Sequence, residues 1–347
     1  MSQPVGAGSA PAANRGRDSM NRRAFVGTLA LGPLAASSLA SAQPARKVYR
    51  IGILSVRPTS DLVGPQPRSP SANALLRALR ELGYVYGEHF VTEPRGADGR
   101  PEHYASQAAE LVRLQVDVIV AGPALPSLKQ ATTTIPIVMA AGFDPVAEGL
   151  AQSLGHPGGN FTGLSQQMAE TAGKRLELLK QLVPGTAPVA VLWDRGSLHL
   201  WQAADAAART RQWKLLSLEI RDGGEIEGAF KAATGARAGA LLVCSTEIAY
   251  PHRGRIAELA ARSRLPAMYD VRRYVEAGGL ISYGADVTEI WRRAALFVDK
   301  ILKGARPGDL PIEQPTKFDL VINLRAAKSI DLTIPQPILL RADEIIR

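Results

Sequence analysis

Ala240-Leu241-Leu242-Val243-Cys244 and Leu265-Pro266-Ala267-Met268-Tyr269 are two short apolar runs with a helical pattern between them, over 252–264. The same arrangement stands earlier in the chain. There Asp117-Val118-Ile119-Val120-Ala121 leads through a short helical pattern at 127–132 to Ile135-Pro136-Ile137-Val138-Met139. Short apolar strands alternating with longer helical patterns are the signature of βαβ units and a parallel sheet. Here the signature occurs twice, and the pairs Ile135-Pro136 and Leu265-Pro266 hold the same place in each copy.

The first copy begins with a strand at 49–55. A helix over 72–82 follows, with Leu75, Leu76, Leu79 and Leu82 on one face and Gly83 as its stop. A strand at 89–93 and a helix over 101–114, opened by Pro101, complete it. The second copy runs through a strand at 189–193, a helix over 201–212, a strand at 215–220 and a helix over 225–234. The offset between the copies drifts, so this is a duplication with insertions and not a tandem repeat. The glycine-rich segments 156–165 and 278–284 are read as crossings between the halves. A helix over 287–303, a strand at 318–324 and a helix from 326 close the chain. The expected fold class is α/β: two similar open parallel-sheet lobes with helices on both faces, joined by a hinge. Residues 43–163 and 285–312 are assigned to lobe 1, and 164–284 and 313–347 to lobe 2.

The N-terminus reads as an export signal. Arg22 and Arg23 open an apolar run rich in small residues, and Ala40-Ser41-Ala42 offers a cleavage site after Ala42. The run is shorter than the about 20 residues a membrane span needs. The arginine pair followed by Ala24-Phe25 resembles a twin-arginine signal. The flanking Ser and Lys of that signal are missing, which leaves a general secretory signal as the alternative. Removing residues 1–42 leaves 305 residues, room for two domains. It takes four arginines and one aspartate from a net charge of +9, leaving +6. The remaining basic residues are scattered, without the interleaved aromatics of a nucleic-acid surface. Cys244, the single cysteine, ends an apolar run and reads as a small buried residue.

Catalytic and metal signatures are absent, and neither a cofactor nor a metal is expected. The five histidines are isolated, and none has the i, i+4 partner of a zinc helix. Gly163-Leu164-Ser165 opens like a nucleophile elbow but lacks the closing glycine. What the sequence does offer is a set of polar or flexible residues just past strand ends, where ligands of parallel α/β sheets bind. These are Ser55, Gly122, Pro123 and Asp144 in the first half, and Asp194, Ser245, Thr246, Glu247 and Asp270 in the second. Tyr283 beside the second crossing joins them. Hydroxyls and helix-terminal amides suit a carboxylate, and an Asp suits an ammonium. The same residue types also turn loops and cap helices. If both lobes face their strand ends together, the site is the cleft between them.

Several stretches carry a family resemblance: Val118-Ile119-Val120-Ala121-Gly122, Ala131 to Val138, Asp144-Pro145-Val146, Gly158-Gly159-Asn160-Phe161-Thr162-Gly163, Lys174 to Leu179, and Pro315 to Leu324. Together the chain resembles the ABC transporter substrate-binding family related to tryptophan-binding proteins. The resemblance implies a type I periplasmic-binding-protein fold and no enzymatic activity. It further implies a monomeric periplasmic receptor that takes a small solute, an amino acid or aromatic compound, to an inner-membrane permease. A ligand-sensing accessory to a membrane signalling system would use the same fold, and an α/β enzyme is a more distant alternative. Two loops depart from the family pattern. Gly122-Pro123-Ala124 replaces a Gly-Gly-Thr-Pro-like turn, and Trp193-Asp194-Arg195-Gly196-Ser197 replaces an Asn/Pro-rich one.

Overall fold

The computed structural model describes residues 47–347 except 143, 167, 186, 246 and 247. The expected export signal and its cleavage point after Ala42 lie outside the described residues, as do Thr246 and Glu247. In chain order the elements are β1 (Tyr49–Ser55), α1 (Pro70–Glu81), β2 (Phe90–Gly96), α2 (Tyr104–Arg113), β3 (Val118–Ala121), α3 (Leu125–Ala131), β4 (Ile137–Gly142) and β5 (Phe161–Ser165). Next come α4 (Ala172–Leu182), β6 (Val189–Trp193), α5 (Leu198–Arg209), β7 (Leu215–Glu219), α6 (Ile226–Gly235), β8 (Ala240–Val243), α7 (Arg253–Arg262), β9 (Ala267–Tyr269), α8 (Arg272–Glu276) and β10 (Ile281–Gly284). The chain ends with α9 (Val287–Leu302), β11 (Asp319–Asn323), α10 (Leu324–Ser329), α11 (Gln336–Leu339) and β12 (Glu344–Ile346).

The strands form two sheets, ordered β2-β1-β3-β4-β5 and β7-β6-β8-β9-β10-β11-β12. The first five strands of the second sheet repeat the order of the first, so the duplication read in the sequence is a duplication of topology. The paired prolines mark it at atomic level. Ile119 N donates to Pro136 O at 2.9 Å in one lobe, and Leu241 N donates to Pro266 O at 2.8 Å in the other. The strand pairs are parallel apart from β10 with β11. That antiparallel pair extends the second sheet beyond the five strands whose order it shares with the first.

Alternation along each strand splits the first lobe's core into two faces. Ile51, Ile53, Val118 and Val120 pack under α1 and α9, while Leu54, Ile119, Ala121 and Met139 pack under α2 and α3. Ser69 caps α1, its hydroxyl accepting from Ala72 N at 3.4 Å, and Pro70 takes the first helical position. Leu75, Leu76 and Leu79 then form the buried stripe, and truncating one such leucine to alanine costs about 2–5 kcal/mol. In α9 the stripe is Ile290, Trp291, Ala294, Phe297, Val298 and Ile301. This helix follows a strand of the second sheet yet packs on the first lobe, so the chain has crossed over just after β10.

Among the described residues the chain crosses between lobes after β5, after β10 and before β11. Two expectations shift here. The glycine-rich segment 156–165 is expected to be a crossing throughout, but its second half is β5, and the crossing follows it. The expected boundary at 163/164 therefore falls inside a strand, with Leu164 and Ser165 belonging to the first sheet. Likewise 281–284 is β10 and not a linker. Glycine placement explains both misreadings. Gly163 has a φ of +120°, and a side chain there would strike the Met139 backbone at 2.4 Å. A Cβ on Gly284 would lie 1.8 Å from Asp270 O. Each glycine permits a close backbone approach beside a crossing.

Gly284→Ala should therefore lower the unfolding free energy by about 1–3 kcal/mol, the usual cost of forcing atoms into a packed site. Gly254→Ala in α7, where the added methyl meets nothing within 4 Å, should raise it by about 0.4–1 kcal/mol. Urea unfolding of the two variants checks the contrast, and equal effects would contradict it.

Candidate functional site

The carboxyl ends of both sheets open onto one inter-lobe cleft with two compartments. The first encloses about 900 Å³ of space, part of it open to solvent. Lobe 1 contributes Ser55 and Arg57 past β1, Ser69 and Ser71 at the start of α1, Tyr104 on α2, and Gly122 and Pro123 past β3. Gln166 and Met168 line it from the first crossing, and Val287 and Trp291 from the first turns of α9. Lobe 2 contributes Ser245, Tyr250, Pro251, Val271 and Arg273. The second compartment, about 1410 Å³ and likewise open, lies between the α3 start with Glu148 on one side and Asp194, Arg195, Ser197, His199 and Arg221 on the other. Pro123 and Ser245 line both, so they form the waist of a single cleft.

The residues expected from sequence fall into distinct places. Ser55, Gly122, Pro123 and Ser245 line the first compartment, and Asp194 lines the second. Asp194 is also engaged in a capping box: its carboxylate accepts from Ser197 N at 3.1 Å, and its own N donates to Ser197 Oγ at 3.0 Å. Asp144 lines neither compartment. It holds a turn, accepting from Ala147 N at 3.0 Å, while its N donates to Glu148 Oε1 at 3.3 Å. Tyr283 lines neither, because its ring stacks on Phe318 with centroids 5.8 Å apart. Asp270 sits behind the cleft wall at 1% exposure. Thr246 and Glu247 lie outside the described residues.

Asp270 is the centre of a buried polar cluster. Its carboxylate accepts from Ser245 N at 2.7 Å and from Ser245 Oγ. Burial pushes it above the usual carboxylate range, against the pull of the Arg175 guanidinium and the Ser245 hydrogen bonds. Arg175 on α4 is equally buried, and burial pushes its pKa down while Asp270 holds it up. Its Nη1 donates to Thr171 Oγ1 at 2.9 Å and its Nη2 to Met168 O at 2.6 Å; its Nε has no partner. Arg175 thus ties the first crossing to lobe 2, and Asp270 ties down the Ser245 loop. Both tethered segments line the cleft. Cys244 beside them has its thiol pushed up to about 12, chiefly by burial, so it stays a thiol, as its apolar setting suggested.

Sequence reading missed Arg57, Tyr104, Gln166, Met168, Tyr250, Arg273 and Trp291. Gln166 and Met168 follow β5, whose glycine-rich approach has the sequence of a linker. Trp291 and Tyr104 lie in the first turns of amphipathic helices, where they look like ordinary core. Only the lobe-to-lobe return of α9 brings Trp291 to the cleft. Trp193, at the end of β6, is core: it stacks on Trp201 at 5.8 Å and donates Nε1 to Ser217 Oγ at 2.8 Å. Among the described residues no cluster of His, Cys, Asp and Glu could hold a metal ion, and no helix is long and apolar enough to cross a membrane.

Two α/β lobes with parallel-sheet cores around a common cleft define a type I periplasmic-binding-protein-like fold. Residues 67–346 match the family model described as ABC transporter substrate binding protein, and the chain belongs to that family. A curated relative, the tyrosine-binding protein of Clostridioides difficile (strain R20291), is 25% identical over 292 residues, covering 83% of this chain and 82% of the relative. Among solved structures, a conserved domain protein of Vibrio cholerae shares 26% identity at a TM-score of 0.78, covering 86% of this chain and 100% of that one. The ABC domain of Streptococcus pneumonia(e) in complex with L-Trp shares 24% identity at a TM-score of 0.77, with the same coverage.

The buried pair makes a direct prediction. Arg175→Met removes the hydrogen bonds to Thr171 and Met168 and the positive charge whose field reaches Asp270, and should destabilise the protein by about 1–3 kcal/mol. Adding Asp270→Asn should restore part of that loss, with a coupling energy above about 1 kcal/mol in a double-mutant cycle. Simple additivity would show that the two groups do not interact.

Proposed function

We propose that the protein is the solute receptor of an ABC importer, exported to the periplasm and processed after Ala42. In this reading it acts as a monomer, holds one small solute between its lobes and presents it to an inner-membrane permease. Nucleic acid has no part in it, and no bond of the solute is made or broken. The observation that carries the reading is the waist of the cleft. Pro123 comes from one lobe and Ser245 from the other, and each lines both compartments. A solute seated there touches both lobes only when they approach. Its binding energy therefore favours the closed state over the open one, which is what a ligand-driven closure requires.

Family membership supports a small-molecule ligand and a transporter partner. The relative named for tyrosine and the neighbour holding L-Trp support an amino-acid-like or aromatic solute. Tyr104, Tyr250 and Trp291 around the first compartment fit a ligand with a ring.

A thermal-shift screen of amino acids and small aromatic solutes tests the reading. A true ligand at 100 times its Kd should stabilise the protein by about 2.7 kcal/mol, and Pro123→Trp, which fills the waist, should abolish the shift. A ligand whose shift survives Pro123→Trp would place binding elsewhere and defeat the proposal.

A further inference from the structure

A serine hydroxyl has one proton to give. Ser245 lines both compartments, and it gives that proton to Asp270 Oδ1 behind the cleft wall. Its backbone N donates to Asp270 Oδ2 at 2.7 Å. A backbone N–H can only donate, so it fixes Oδ2 as an acceptor. Burial works against the charge on Asp270, while the Arg175 guanidinium and both Ser245 bonds favour it. The carboxylate form lets Oδ1 accept as well. With its proton spent inward, Ser245 Oγ has only lone pairs left for the cleft. Glu148 and Asp194 line the second compartment, which Ser245 shares, so oxygen acceptors continue past the waist.

The polarity of that oxygen sorts solutes. A solute N–H or O–H at the waist finds an acceptor. A solute carbonyl at the same place sets lone pair against lone pair and leaves both groups unsatisfied as the cleft closes, at a cost of about tenfold or more in affinity. We infer that Asp270 is a positioning residue for specificity: acting through Ser245, it makes the waist a hydrogen-bond acceptor and selects a solute that carries a donor there. Among aromatic acids the donor is an amine or hydroxyl on the α-carbon, and the α-keto acid is refused. The inference rests on the cleft being the ligand site and selects the ligand within it. Asp270→Asn inverts the relay. The amide carbonyl has to keep the Ser245 N–H, which turns Nδ2 toward Ser245 Oγ as a donor. Ser245 then points its proton into the cleft.

Isothermal titration of the purified protein with matched sets tests this. The sets are L-phenylalanine, 3-phenyllactate and phenylpyruvate; L-tryptophan, indole-3-lactate and indole-3-pyruvate; and L-tyrosine with the corresponding hydroxy and keto acids. In one set or more the amino acid and the hydroxy acid should each bind about tenfold or more tighter than the keto acid. The hydroxy acid separates donor capacity from charge. Asp270→Asn should cut that preference about tenfold, the donors losing affinity while the keto acid holds or gains it, a reversal that mere loosening of the loop does not produce. Ser245→Ala alone should remove the preference, and it decides the matter if Asp270→Asn does not fold. With Ser245→Ala in place, adding Asp270→Asn should change the preference less than about twofold. A keto acid that binds as tightly as its partners overturns the inference. So does an equal effect of Asp270→Asn on all members of a set, a preference that survives Ser245→Ala, or failure of every acid to bind. In any of these cases a different solute that shifts the melting temperature and is blocked by Pro123→Trp leaves the receptor reading standing. Binding insensitive to Pro123→Trp defeats the receptor reading instead.

Discussion

A buried carboxylate has to be answered by the chain around it, and Asp270 is answered on every side. Ser245 gives it a backbone and a hydroxyl donor, Arg175 gives it a countercharge, and Gly284 lets the backbone of β10 pass over its carbonyl. These groups come from the end of β8, the start of α4 and the end of β10. They are the places where lobe 2 presents the cleft wall, receives the chain from lobe 1 and returns it. Removing water from two charges is justified only if their geometry is held, so the cluster constrains the crossing and the wall at once.

The third crossing is held by different means. Ser165 N donates to Glu313 O at 2.9 Å and Glu313 N to Gly163 O at 2.9 Å, so the returning strand borrows a rung from β5 before it enters lobe 2. Arg293 on α9 pairs with the Glu313 side chain. One crossing is fixed by a buried ion cluster and another by strand pairing and a half-exposed ion pair. Ion pairs with solvent access are worth about 0–1 kcal/mol. Hinge freedom is therefore more readily found at the Glu313 side than at Arg175.

Most of the fold could be read from the sequence because hydrophobic period reports burial directly. Val189–Trp193 and Ala240–Val243 are apolar throughout and are fully buried strands. The elements that escaped notice are those whose identity depends on distant partners. β5 looks like a glycine-rich loop until Met139 lies against Gly163, and β10 looks like a hinge until Asp270 lies under Gly284. The site was half legible for the same reason. Ser55, Pro123 and Ser245 stand at strand ends, where topology alone places them. Arg273 and Trp291 reach the cleft through tertiary packing, and Asp270 and Asp144 turn inward to local donors that a one-dimensional reading cannot rank against a ligand.

In the proposed receptor the cleft between the lobes closes on its solute. Double electron–electron resonance between spin labels at Glu81→Cys in lobe 1 and Arg209→Cys in lobe 2, both exposed positions, measures that motion. Cys244, buried with a raised thiol pKa, should stay unlabelled. With a solute bound, the distance distribution should narrow and move to a new centre, and Pro123→Trp should prevent the change. A distribution identical with and without a solute shown by calorimetry to be bound would contradict the account.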